Sequence, residues 1–218
     1  MFVGHYGPAF ALKRWEPRVP LVALMLAVQI VDVAWSIFIV TGIEEVRFVP
    51  GITASNALDL VYMPFTHSLV AAFAWAIAGG VVAWLVTGRV TPRIGIAVGL
   101  AVVSHWLLDL LMHRPDLPMF DTSWKVGLGL WDYKWPGAAV ELATLLAGLA
   151  LYATGTRARD RIGSLGLAAF TAVLVLAHVF RLVGPEPTTV PAMAGAALVS
   201  YVGFAALAAW IDRHREAA

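Results

Sequence analysis

The sequence predicts an all-α polytopic membrane protein. About six spanning helices follow a short N-terminal re-entrant or interfacial helix, with both termini in the cytoplasm. Three observations predict it. The 218 residues are 60% hydrophobic and 13% charged, against roughly a quarter charged in a soluble domain, and the mean hydropathy is +0.79. Apolar runs near the ~20 residues that a bilayer core requires recur along the whole chain. Basic residues collect in alternate connections, as the positive-inside rule demands of cytoplasmic loops.

Taken in order, residues 1–12 contain Gly4 and Gly7, are too few to span, and lead to Lys13, Arg14 and Arg18. Residues 19–42 are the first span, interrupted by Gln29 and Asp32. That run is about twice the length of a signal-peptide core and lacks a small-residue cleavage site, so it reads as a retained span. Residues 43–63 form a polar loop with Glu44, Glu45, Arg47 and Asp59. Residues 65–86 are the second span, with His67 at its start, and a turn with Arg89, Pro92 and Arg93 leads into the third, 94–113. The loop 114–134 is rich in Pro, Gly, Asp and Trp. Residues 135–154, 162–182 and 190–211 complete the set, separated by a basic turn (Arg157, Arg159, Arg161) and a Pro-rich one. Arg213 and Arg215 close the chain. Short connections and the lack of a repeat point to one helical domain over residues 1–218.

The composition also excludes. A net charge of +1 and no recognisable motif argue against a nucleic-acid partner. With no cysteine there is no disulfide and no thiolate ligand, so any metal must be held by His, Asp, Glu or water. No nucleophile elbow, His-Glu-x-x-His, phosphate loop or dinucleotide fingerprint is present.

Ionisable residues inside spans are costly and tend to be functional or paired. Here they form a layer. At 1.5 Å rise per residue, Asp32 stands about 20 Å above Arg18, His105 about 18 Å and Asp109 about 24 Å above Arg93, and His178 about 25 Å above Arg161. His67 lies near the outer surface and Glu141 about 9 Å below Trp135. All fall in the outer half of a ~30 Å core. His105, Asp109 and His113 are four apart and so share one helix stripe. His5 joins them only if residues 1–12 re-enter the membrane, which would place it about 12 Å above Lys13. His214 lies in the basic C-terminal tail and reads as solvated.

Imidazoles and carboxylates without sulfur suit zinc, manganese or iron(II). His5 in GHYG, Asp32 late in the first span, His67 in FTHS, and His105 with Asp109 in SHWLLDLL follow a recognisable order. Over residues 1–113 the chain resembles the membrane-bound metal-dependent hydrolases predicted in bacteria, typified by a LexA-regulated inner-membrane hydrolase. Their ligand order is in turn similar to that of zinc-dependent phospholipase C and the fungal single-strand nucleases. The resemblance implies that His5, Asp32, His67, His105 and Asp109 ligate metal, and implies hydrolysis with metal-activated water in the inner membrane. The chain departs from the pattern where Gly4 precedes His5 in place of Thr, and where no His-x-x-x-Glu follows.

The expectation is therefore a metal-dependent hydrolase, with His113 as a sixth ligand at the outer lip. A phosphoester in a lipid or lipid-like molecule is the expected substrate, Glu141 a general base and Arg181 a phosphate clamp. Other readings stay open. The polar layer also suits a metal-ion or proton transporter or channel, although no polar residues continue a path through the cytoplasmic half and no repeat is seen. Haem held by His105 with His178 or His67 is another. A layer that only specifies packing is the last.

Overall fold

A computed structural model describes residues 1–88 and 91–218; Arg89, assigned above to a basic turn, lies outside the described residues. The chain opens with a 3-10 turn, Val3–His5, continued by α1 (Tyr6–Trp15). Then come α2 (Leu21–Ala27), α3 (Ile30–Thr41), the hairpin β1 (Glu45–Phe48) and β2 (Leu58–Tyr62), and a one-turn helix, α4 (Pro64–His67). The long helices α5 (Leu69–Val86) and α6 (Pro92–Met112) follow. A small ribbon, β3 (Leu117–Pro118) with β4 (Lys125–Val126), and a 3-10 turn, Leu130–Asp132, lead to α7 (Lys134–Gly155). The chain ends with β5 (Thr156–Ala158), α8 (Arg161–Val183), α9 (Val190–Arg213) and β6 (Arg215–Ala217), which pairs with β5.

Five helices, α5 to α9 in turn, are long and apolar enough to cross a membrane; α2 and α3, bent by 47° at Val28–Gln29, bring the number to six if the pair is one span. Their outward faces are apolar. Val70, Phe73, Ile77 and Val82 on α5, Leu165, Leu176 and Phe180 on α8, and Val199 and Val202 on α9 are all exposed. Surface of that kind belongs against lipid. The inward face of α5 is built of Ala72, Ala76 and Gly80. A Cβ added to Gly80 would stand 2.7 Å from the Gly95 carbonyl oxygen, so α5 and α6 approach backbone to backbone, as small residues permit between membrane helices.

The basic segments meet at one end of the bundle. The Lys13 ammonium lies 3.0 Å from Asp212 Oδ2, the Arg93 guanidinium covers the Trp15 ring at 5.1 Å, and Arg157 Nε is 2.6 Å from Glu216 Oε1. At the opposite end, residues 43–63 and 114–134 are more ordered than the loops expected of them. In β1–β2, Val46 pairs with Leu60, and both are buried in an apolar cluster with Met63, Trp106, Met112, Leu117 and Trp131. Alternation of apolar and polar residues over such short stretches is a strand signal, hidden here by the flanking charges.

The N-terminal segment is a buried interior helix that does not span. At 10 residues α1 is only about 15 Å long, and Val3, Tyr6, Ala9 and Phe10 have no exposed surface. It lies against α7 with glycine facing glycine. A Cβ on Gly148 would run into the Gly7 carbonyl, and one on Gly7 into the Thr144 carbonyl. Gly148→Val is therefore expected to push α1 outward, at about 1–3 kcal/mol or more of overpacking. A melting temperature equal to wild type in a thermal unfolding assay would refute this contact.

Candidate metal centre

Four separate chain segments deliver the cluster. His5 ends the first 3-10 turn, Asp32 lies in the first turn of α3, His67 is the last residue of α4, and His105 and Asp109 are one turn apart on α6. His113 caps the C-terminus of α6. All six are buried, the most exposed being Asp32 at 8%.

Two local irregularities make the convergence possible. The first is the break between α2 and α3. Gln29, fully buried, occupies the N-cap of α3 and donates through Nε2 to the Phe2 carbonyl at 3.3 Å, tying the break to the N-terminal segment. The Val28 carbonyl, set at the break, accepts from His105 Nδ1 at 2.7 Å. The second is the sequence Phe65–Ser68. Pro64 starts α4, and Ser68, in extended geometry, stops it and caps α5 by accepting the Ala71 N–H at 3.0 Å. His67 is thus held at a corner between two helices. Trp106 Nε1 donates to the His67 carbonyl at 3.0 Å and fixes that corner to α6.

The hydrogen bonds on the far side of the rings set their protonation. A carbonyl can only accept, so His105 Nδ1 carries the proton toward Val28. The Thr66 hydroxyl donates its single proton to Glu44 Oε2 at 2.6 Å, and so accepts from His67 Nδ1 at 2.7 Å. Glu44, itself buried, also accepts the backbone N–H groups of Phe65 and Thr66 at 2.8 and 3.0 Å. His113 Nδ1 donates to Asp116 Oδ1 at 3.0 Å, with the Trp131 ring packed on the imidazole at 4.2 Å. In neutral rings all three Nε2 atoms then present lone pairs, and all three face carboxylates.

The distances are short. His105 Nε2 lies 3.1 Å from Asp109 Oδ2 and 3.5 Å from Asp32 Oδ1. His67 Nε2 lies 3.2 Å from Asp32 Oδ1 and 3.9 Å from Asp109 Oδ2. His113 Nε2 is 3.6 Å from Asp109 Oδ2. His5 stacks on His105, with ring centroids 3.7 Å apart and planes within 7° of parallel, and its Nε2 is 3.2 Å from Asp109 Oδ1. The Met1 nitrogen lies 2.6 Å from that same oxygen. Tyr201, on α9, donates its hydroxyl to Asp32 Oδ2 at 3.0 Å.

Lone pairs and carboxylates at these separations repel unless a cation lies between them. A proton would need a directed N–H···O bond. His67 Nε2 is placed for such a bond to Asp32 Oδ1 at 3.2 Å, whereas His105 Nε2 and both nitrogens of His5 make no hydrogen bond among the described residues. A divalent ion has no such requirement. Two ligand atoms bound tetrahedrally at 2.0–2.1 Å are about 3.4 Å apart, close to the separations seen here. Two overlapping groups have donor atoms within 4.8 Å of one another, His5–His105–Asp109 and Asp32–His67–His105. These buried His and Asp groups could hold a metal ion, and two carboxylates would balance one divalent charge. His105 belongs to both groups, which therefore overlap.

Of the residues singled out from sequence, His5, Asp32, His67, His105 and Asp109 come together, and His113 lies at their edge. Glu141 and Arg181 do not join them. Glu141 Oε1 instead accepts the backbone N–H groups of Phe2 at 2.5 Å and Gly4 at 3.3 Å, satisfying donors at the start of the first 3-10 turn. His178 Nδ1 is 3.9 Å from Glu141 Oε2. Arg181 is exposed and reaches the Ser55 carbonyl at 3.3 Å. Sequence reasoning missed Glu44, Thr66, Asp116 and Tyr201. Thr66 was legible as the residue before His67, and Asp116 as an acid three residues after His113. Glu44 and Tyr201 carry no local signal. Comparison with family models, curated proteins and solved structures brought no match.

Proposed function

We propose that this protein is a membrane-embedded metal-dependent hydrolase acting on phosphoesters in lipid or lipid-like substrates. It would belong with the membrane-bound hydrolases it resembles and would reside in the bacterial inner membrane with its basic end in the cytoplasm. One observation carries the reading. Three histidines are each locked at Nδ1 by a separate acceptor, and each turns Nε2 toward Asp109, with His67 and His105 also facing Asp32. Acceptors of this kind fix the tautomer and raise the basicity of metal-ligating imidazoles.

In this reading His5, His105 and Asp109 hold one position, and Asp32 with His67 hold the other or complete the first. Zinc fits the nitrogen-rich set best, with manganese and iron(II) as alternatives. A bound divalent ion would supply Lewis-acid polarisation of a phosphoryl oxygen and an acidified water. The chain supplies the rest. Val28, Thr66 and Asp116 orient the rings. Asp32 and Asp109 offset the cationic charge within an apolar bundle. Tyr201, through its hydroxyl on Asp32 Oδ2, directs Oδ1 toward the histidines.

The test is release of headgroup or phosphate from phosphodiester and phosphomonoester lipid analogues by the full chain in lipid nanodiscs. Release should stop on chelation, return on adding zinc or manganese, and fall at least 100-fold in His105→Ala. No metal-dependent release from any analogue would reject the hydrolase. The burial of all six residues favours a second reading, a metal-ion transporter, and metal flux into proteoliposomes without hydrolysis would select it.

A further inference from the structure

At the end of the bundle opposite the basic segments, a recess of about 380 Å³ opens between β1, β2, the segment after α6, and β4. Arg47, Arg114 and Lys125 line it together with Asp59 and Asp116. We propose that this recess binds a phosphate-type anion, a charged group of the substrate's headgroup other than the one at the candidate metal position; that last identification rests on the hydrolase reading.

Arg114 is held rigidly. Its Nη2 is 2.5 Å from Asp59 Oδ1, and its Nε donates to Asp116 Oδ2 at 3.1 Å. Asp59 and Asp116 are thereby committed to the guanidinium, and Asp116 also to His113, so neither is free to repel an anion at full strength. A guanidinium pre-set by two carboxylates loses little freedom when it takes a further acceptor on Nη1. Lys125 spends one of its three N–H donors on the Val61 carbonyl at 3.1 Å, and Arg47 uses Nε and Nη2 on Glu45 Oε1. Cationic side chains from three different strands or loops thus line one space of the size of a small headgroup.

The recess is also joined to the cluster. Asp116 forms part of its wall and holds His113, whose Nε2 faces Asp109 at 3.6 Å. His113 thus links the wall of the recess to the candidate ligands. An anion drawing on Arg114 would act through Asp116 on the histidine that borders the metal position. A second cavity, between α8 and α9, is apolar apart from Arg161 and lies at the basic end.

The experiment is equilibrium dialysis of radiolabelled inorganic phosphate against the full-length protein in detergent, stripped of metal by chelator so that binding through a metal does not contribute. Saturable binding is expected, weakened by added salt and by about 3- to 10-fold in each of Lys125→Gln and Arg47→Gln, which remove one charge-assisted contact apiece. Competition then separates the sources of the anion. Phosphatidic acid in mixed micelles outcompeting glycerol phosphate indicates a lipid headgroup, and equal competition indicates a soluble phosphate. Absence of saturable binding, or a Lys125→Gln/Arg47→Gln double variant that binds like wild type, overturns the proposal. Metal content measured on unstripped samples of the same preparations keeps the two readings apart. Phosphate binding without any metal rejects the hydrolase alone, and metal without phosphate binding rejects the recess alone.

Discussion

Asp109→Ala is expected to lose bound metal and thermal stability together. Its two oxygens face four histidines, with Oδ1 on His5 at 3.2 Å and Oδ2 on His105, His113 and His67 at 3.1, 3.6 and 3.9 Å. Removing one partner from a buried charged set typically costs about 3–5 kcal/mol. Metal affinity should fall by more than 100-fold, beyond the 10- to 100-fold that loss of an outer partner causes. Asp109→Asn separates the two effects. It keeps the volume and discards the charge, so it should lose metal while melting near the temperature of metal-stripped wild type. An Asn variant that keeps its full metal content by mass spectrometry would remove Asp109 from the ligand set.

The second large effect is expected at Glu44, which touches no candidate ligand. Glu44→Ala leaves the Phe65 and Thr66 N–H groups and the Thr66 hydroxyl without their acceptor. Each buried donor so stranded costs about 1–3 kcal/mol. The His67 ring also loses the relay that fixes its tautomer, so metal affinity should drop 10- to 100-fold. Thr66→Val discriminates between these causes. It deletes the hydroxyl between Glu44 and His67 but leaves Glu44 on the two backbone amides, and should reproduce most of the affinity loss with a smaller fall in melting temperature. Chelator competition together with thermal unfolding reads both quantities. Wild-type affinity in Thr66→Val would show that the relay does not orient His67.

These sites also show what is legible in a sequence and what is not. The layer of Asp32, His105 and Asp109 follows from counting helix rise, because depth along a span depends only on residue number. The sharing of one stripe by His105, Asp109 and His113 follows from the helix period. The 47° break at Val28 does not, since Gln29 reads simply as a polar residue in an apolar run. Its role as a buried link to the Phe2 carbonyl is set by a partner 27 residues away. Glu44 reads as one acid among several in a polar loop, and its burial depends on how that loop folds over the bundle. Glu141 shows the converse. Its depth marks it as unusual, but the cause is the N-terminal turn, whose free backbone donors no pattern at residue 141 reveals. Arg181 reads from sequence as a phosphate clamp. Helix phase turns it outward instead, toward Ser55.

These imidazoles and carboxylates are expected to bind a metal together. X-ray absorption at the zinc edge of the zinc-loaded, dialysed wild-type protein reads that binding. The expected spectrum shows a first shell of nitrogen and oxygen at about 2.0–2.1 Å, with outer-shell scattering from at least two imidazole rings that is lost in Asp109→Asn. Zinc that washes out on dialysis, or a retained ion whose spectrum lacks imidazole scattering, would contradict it.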